Sequence, residues 1–270
     1  MPFSRLPTLS IAGQQVHLFL DPSFACGFAA EIITTIIHEA NEKRGRAVLG
    51  LATGGTPIRV YERLVAKRRS GEISFRQVHT FNLDEYYPIA PLDPKSYRAY
   101  MHQHLFSHVD LPANQAHVLD GTVPDAFVEA HCAEYERWIE HVGGLDMQLL
   151  GIGRNGHIGF NEPSDLGLEA AMTLPTRRTP LHPVTVADAA RDFGGDPAAV
   201  PKTALTMGTR AILSARKVLI LAFGAAKAPA VAAALQGPIN TQLPASFLRT
   251  LPGRVIWVLD EAAASGLDPS

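Results

Sequence analysis

The sequence predicts an α/β protein: a doubly wound, mostly parallel sheet with helices on both faces, in a single domain. Three observations carry that expectation. Short apolar runs alternate with helix-like stretches along most of the chain, which is the order of βα units. Several runs are apolar throughout, as strands covered on both faces are. Four of them end in glycines or polar groups, and such sheets bind ligands outside the C-terminal ends of their strands. The 270 residues are enough for a substantial core.

Val16–Leu20 reads as a short strand. Pro22 follows, and Ser23–Lys43 reads as a helix with Phe24, Phe28, Ile32, Ile36 and Ile37 near one face and Gly45 at its end. Ala47–Ala52 is a buried strand that opens into Thr53-Gly54-Gly55-Thr56-Pro57. A helix with Tyr61, Leu64 and Val65 inward comes next, and Pro57 suits its first turn, where a missing N–H costs nothing. Val78–Leu83 is a strand ending in Asp84-Glu85-Tyr86-Tyr87. Ser96–Phe106 reads as a helix capped by Ser96, and Ala126–His141 as an amphipathic helix carrying Phe127, Cys132, Tyr135 and Ile139. Met147–Ile152 is the strand that feeds Gly153-Arg154-Asn155-Gly156-His157. Leu166–Pro201 is proline-rich and irregular, a long loop or lid with short helices, and residues 164–201 form the expected lid. Lys202–Ile212 looks helical, Lys217–Ala222 is a strand, Ala225–Leu235 a helix after Gly224, and Arg254–Leu259 a last strand. Disorder is expected for Ala262–Ser270. No internal repeat or linker divides residues 1–270, so the expected fold is one Rossmann-like domain.

Hydrophobic residues make up 46% and charged residues 19%, ordinary for a globular protein. The net charge of −2 offers no basic face for nucleic acid or a membrane surface. Cys26 and Cys132 form neither a zinc spacing nor a disulfide framework, which suits a reducing compartment. Met1–Ser10 lacks a signal-peptide pattern, and no apolar run approaches the roughly 18 residues that span a bilayer. The expectation is a soluble cytoplasmic protein.

Four clusters carry chemistry. Thr53-Gly54-Gly55-Thr56 lies between a strand and a helix. Two glycines let backbone N–H groups approach an anion, and the helix start and threonine hydroxyls add to the attraction. A tight strand-to-helix turn explains the same glycines. Lys227 repeats the strand–glycine–helix context and Arg191 is a candidate phosphate fork, although each taken alone is also read as a surface charge. Asp84 and Glu85 follow a strand end. Neighbours in extended chain point opposite ways, so at most one faces the crevice, as a general base or else as a helix cap. His157 follows a glycine-rich turn with Glu162 five residues on, an imidazole–carboxylate pair suited to acid–base work. No nucleophile elbow is present. His102, His104 and His108 lack the glutamate of a zinc-protease pattern, and a polar helix face is the simpler reading, so no metal is expected.

Together these pieces resemble the glucosamine-6-phosphate deaminase (isomerase) family. The matching segments are Leu51–Pro57, Phe81–Tyr86, Gly151–Pro163, Val200–Gly208 and Gly224–Lys227, in order along nearly the whole chain. The wider superfamily includes 6-phosphogluconolactonases, which share the phosphate loop and the Gly-His segment but lack the Phe160-Asn161-Glu162-Pro163 ending. The resemblance implies conversion of glucosamine 6-phosphate and water to fructose 6-phosphate and ammonia, without metal or organic cofactor. It implies that His157, oriented by Glu162, opens the sugar ring and that Asp84 carries a proton from carbon 2 to carbon 1. Thr53, Gly54, Gly55, Thr56, Arg191 and Lys227 would hold the phosphate. Some family members carry aspartate at the position of Asn155; asparagine does no acid–base work at neutral pH, so here the relay rests on His157 and Glu162. Ala189-Ala190-Arg191-Asp192-Phe193 departs from the family's Asn-x-Arg-Phe-Phe, which leaves Arg177 or Arg178 as alternative phosphate contacts. The resemblance leaves open which hexosamine 6-phosphate is preferred, allosteric control, and whether the chain is a monomer or a homo-oligomer. A lactonase-like hydrolase and a non-catalytic sugar-phosphate sensor are the competing functions.

Overall fold

The computed structural model describes residues 8–268. The first seven residues of the Met1–Ser10 reading and the last two of the Ala262–Ser270 reading lie outside the described residues. Among the described residues the strands are β1 (Leu9–Ile11), β2 (Gln14–Phe19), β3 (Ala47–Leu51), β4 (Val78–Asn82), β5 (Asp84–Tyr87), β6 (Ala116–His117), β7 (Met147–Leu150), β8 (Arg177–Pro180), β9 (Thr203–Thr206), β10 (Lys217–Ala222) and β11 (Val255–Asp260). The helices are α1 (Pro22–Arg44), α2 (Ile58–Arg69), α3 (Tyr97–His104), α4 (Val128–His141), α5 (Leu168–Met172), α6 (Pro183–Ala189), α7 (Thr209–Ser214), α8 (Ala228–Gln236) and α9 (Glu261–Ala264).

One sheet runs β1-β2-β11-β10-β7-β3-β4-β6 and is parallel except where β1 meets β2. β3 and β7 are buried at every residue, which requires cover on both faces. From β3 the chain moves outward to β4 and β6. It then returns to β7 on the other side of β3 and moves outward the opposite way, to β10 and β11. The β3/β7 boundary is therefore the topological switch point, where a crevice opens above the strand ends. Gln148 of β7 fixes how closely these strands pack. A Cβ on Gly50 of β3 would lie 2.0 Å from Gln148 Oε1, so a side chain there would have to displace the Gln148 amide.

A second, antiparallel sheet, β5-β9-β8, was not foreseen. It corrects the reading of Lys202–Ile212 as one helix. Thr203–Thr206 is held on both edges by β5 and β8, and α7 begins only after Gly208, where a Cβ would stand 1.9 Å from the Leu174 carbonyl oxygen. Between Leu166 and Pro201 the chain forms the expected short helices, α5 and α6, and adds the strand β8 between them. The tail reading also changes: Asp260 caps α9, whose Ala263 is fully buried.

Two helix faces differ from expectation. α1 is capped by Asp21 and ends at Gly45, which has φ 71°. It buries Ala25, Ala29, Ala30, Ile33 and Ile37, while Phe24 is 43% exposed. Alanines let the helix lie close to the sheet and push larger side chains to its flanks. In α4, Cys132, Tyr135 and Ile139 are buried as expected, but Phe127 is 62% exposed. It belongs to the preceding 3-10 turn, Asp125–Phe127, and so falls out of the α-helical phase.

Candidate active site

A cavity of about 240 Å³ opens at the switch point, between the loops that follow β3 and β7. Thr53, Gly54, Gly55 and Thr56 form one wall. Three tyrosines brace this loop: Tyr61 donates to the Ala52 carbonyl at 2.5 Å, Tyr100 to the Gly54 carbonyl at 2.6 Å, and Tyr97, which also lines the cavity, bonds Thr53. A peptide unit's N–H points opposite its carbonyl. The N–H groups of Thr53 and Gly55 therefore point away from the Tyr61 and Tyr100 hydroxyls. Gly54 has φ 94°, a conformation that glycine adopts without strain.

Asp84 and Glu85 divide as the alternation rule requires. Asp84 lines the cavity and is 6% exposed. Burial, aided by the neighbouring Glu85 charge, pushes its carboxyl up to about 8. Glu85 points the other way and performs the capping role that was weighed for Asp84. Its oxygens accept from Tyr97 N at 2.8 Å, Arg98 N at 3.0 Å and Ser96 Oγ at 2.7 Å at the start of α3. Ser96 is the N-cap as expected, its hydroxyl accepting from Arg98 N. The paired carboxylates thus serve two ends: one anchors the helix that carries Tyr97, the other faces the cavity beside that tyrosine.

His157 lines the cavity from the β7 loop. Its Nδ1 lies 2.7 Å from Asn155 Oδ1 and 3.2 Å from Glu162 Oε2. Asn155 Nδ2 donates to that same Glu162 oxygen at 2.9 Å, so the amide bridges imidazole and carboxylate. Both oxygens around Nδ1 are acceptors, which assigns the proton to Nδ1 and leaves Nε2 as the basic nitrogen. Burial alone would push the Glu162 carboxyl up. Bonds from His157, Thr185 and Asn155 outweigh burial and hold it down at about 2. Asn155 and Glu162 therefore stand behind His157 and do not line the cavity themselves.

Lys227 reaches the cavity from the turn after β10 and donates to the Ile152 carbonyl at 2.8 Å. Burial lowers its pKa, and the nearby Asp188 carboxylate opposes that shift. Gly224, which opens this turn, is held by the Asp260 carboxylate at 2.9 Å. Arg191 lines the same cavity beside Asp192. Arg177 and Arg178 do not line it: Arg177 donates to Asn161 Oδ1 at 2.9 Å, and Arg178 pairs with Asp125 at 2.8 Å. Of the alternatives, Arg191 is the one that lines the same cavity as Thr53–Thr56. His104 packs on Tyr100, and His108 bonds the Gln103 carbonyl, so these rings turn back onto their own segment. Thr185 and Asp188 of α6 also line the cavity and were not singled out from the sequence. Their spacing of three on a short helix after Pro183 was the available signal, and it was lost in the loop reading.

Fold and cavity define a class: an open α/β protein with a small-molecule crevice at the switch point of a parallel sheet. Residues 21–257 match the model of the family described as glucosamine-6-phosphate isomerases/6-phosphogluconolactonase. The chain belongs to this family. It is 47% identical to a glucosamine-6-phosphate deaminase of Hahella chejuensis, over 82% of this chain and 81% of that one. It is 43% identical to glucosamine-6-phosphate deaminase 2 of Bacillus subtilis, over 88% and 92%. Among solved structures, a monomeric glucosamine-6-phosphate deaminase superposes with a TM-score of 0.85 at 39% identity, covering 93% of this chain and 99% of that one. A 6-phosphogluconolactonase of Thermotoga maritima gives 0.68 at 26% identity, covering 91% and 98%. Among the described residues no helix is long and apolar enough to cross a membrane.

Proposed function

We propose that the protein converts glucosamine 6-phosphate and water to fructose 6-phosphate and ammonia. One observation carries this reading: a buried carboxylate, Asp84, and an imidazole, His157, line the same cavity as the Thr53–Thr56 loop, Lys227 and Arg191. The loop N–H groups and the two cations hold the phosphate. Anchored there, the sugar presents its ring oxygen to His157 and its carbon 2 to Asp84, and the remote binding energy orients the reacting end. His157, steadied through Asn155 and Glu162, moves the proton that opens the ring. Asp84 takes the proton from carbon 2 and returns it to carbon 1. Loss of the carbon 2 proton gives an enol-type intermediate, its return to carbon 1 leaves an imine at carbon 2, and water adds there as ammonia leaves, giving the ketose. A base with a carboxyl near 8 is matched to this work around neutral pH. Residues 164–201 include α6 and the turn carrying Arg191, and act as the lid over the phosphate. The free, buried Cys26 and Cys132 support a cytoplasmic place of action.

A panel of hexosamine 6-phosphates with coupled ammonia detection tests the reading. Glucosamine 6-phosphate is expected to release ammonia and fructose 6-phosphate in equal amounts. Hydrolysis of 6-phosphogluconolactone without ammonia release from any amino sugar would overturn it.

A further inference from the structure

Helix α6 sends two polar side chains, three residues apart and so on one face, onto the catalytic loop. Thr185 is buried and donates its hydroxyl to Glu162 Oε1 at 2.5 Å. The other oxygen, Oε2, accepts from Asn155 at 2.9 Å and stands 3.2 Å from His157 Nδ1. Asn155 and His157 belong to the loop itself, whereas Thr185 comes from a separate element. Asp188 grips the same loop through Arg154, whose Nε donates at 2.9 Å and whose Nη2 makes a second, parallel bond. Such a two-pronged pair fixes orientation as well as distance.

The hydroxyl of Thr185 has one proton, and it is committed to Glu162. At 3.3 Å from His157 Nδ1 the same oxygen can only accept, which reinforces the Nδ1–H form of the imidazole. Removing the hydroxyl leaves Glu162 Oε1 buried with one bond fewer and lets the carboxylate rotate away from the ring.

We propose that Thr185 is a positioning residue of the reaction: it locks Glu162 from α6, so the acid–base unit of His157 is complete only while α6 sits on the catalytic loop. The proposal rests on the reading of His157 and Glu162 as the ring-opening pair. It gives α6 a second task besides carrying the chain to Arg191. Thr185 and the Asp188–Arg154 pair join α6 to the catalytic loop, and the same helix leads to Arg191 at the cavity.

The test compares Thr185→Val, Thr185→Ser, Glu162→Gln and the Thr185→Val/Glu162→Gln double variant with glucosamine 6-phosphate as substrate. Valine keeps the shape and removes the hydroxyl. Thr185→Val is expected to lower kcat about tenfold with KM changed by less than about twofold, since an effect acting through a neighbour falls on the chemical step. Serine is expected to restore kcat to within about threefold of the parent, and Thr185→Val is expected to add less than about twofold on the Glu162→Gln background. A parental kcat in Thr185→Val would overturn the proposal. So would a loss that serine does not restore, a loss confined to KM, or an undiminished loss on the Glu162→Gln background. Where Glu162→Gln leaves no measurable turnover, the split between kcat and KM and the serine rescue decide. Parental turnover in Glu162→Gln alone is a separate result: it removes the reading of Glu162, and it is seen before any Thr185 variant is compared.

Discussion

A methyl group at position 153 would stand 2.3 Å from both Cε1 and Nδ1 of His157. The imidazole lies directly on the glycine backbone, and any side chain there must push it off. Gly153→Ala is expected to lower kcat by about a hundredfold, the scale of a displacement near 1 Å at a reacting group. Circular dichroism melting should show the fold retained, since the clash is with one side chain rather than with backbone. Single-residue features of this kind were partly legible in the sequence. The Gly-His segment identified His157, and the alternation rule allowed one of Asp84 and Glu85 into the crevice, but not which. The choice follows from the start of α3, where three donors, Tyr97 N, Arg98 N and Ser96 Oγ, capture the Glu85 carboxylate. Asn155 was legible as a candidate of the catalytic segment that does no acid–base work itself. Its bridging place between His157 and Glu162 depends on how the turn closes.

At the scale of elements, Glu85 ties β5 to α3. It is 1% exposed, and although burial raises its pKa, four bonds to its oxygens oppose that shift. Glu85→Ala strips the first turn of α3 of these acceptors in a place closed to water. A loss of about 3 kcal/mol in unfolding free energy is expected, measured from urea midpoints. Because α3 carries Tyr97 and Tyr100, which brace the Thr53–Thr56 loop, KM for the sugar phosphate should rise as well. Elements with strong internal signals were legible: α1, α4 and the buried strands β3, β7 and β10 lie where the apolar patterns put them. The three strands of the second sheet were not. Each has four residues, and their pairing partners lie far along the chain, as Asp84 with Thr206 and Arg177 with Thr206 show. Local composition holds no record of such pairing.

The molecule as a whole carries a cost for its site. Asp84 has its carboxyl at about 8 in the folded protein against an ordinary 3.8. The folded state therefore binds this proton more tightly than the unfolded chain. Its contribution to stability is complete below pH 3.8 and declines as pH rises, until it is lost above about 8. Asp84→Asn is expected to melt higher than the parent, by a margin that grows by about 3 °C per pH unit across that window and then levels off. A margin independent of pH would show that the carboxyl is not raised. A stabilised but inactive variant is the usual signature of a functional group held against its preference. The sequence by itself determined the class of fold, the position of most main-sheet strands, the phosphate-type loop and the candidate residues Asp84, His157, Glu162, Arg191 and Lys227. The fold and strands follow from periodicity, and Asp84, His157 and Glu162 from side-chain chemistry, which are local properties; the glycine loop, Arg191 and Lys227 each had a plainer reading and became phosphate candidates through the family resemblance. The tertiary structure decided which strands meet at the switch point. It also decided that Glu85 caps while Asp84 faces the cavity, that Arg191 rather than Arg177 or Arg178 lines it, and that Thr185 of α6 hydrogen-bonds Glu162. Each of these turns on contacts between residues distant in the chain, and such contacts exist only once burial and backbone hydrogen bonding have brought the elements together.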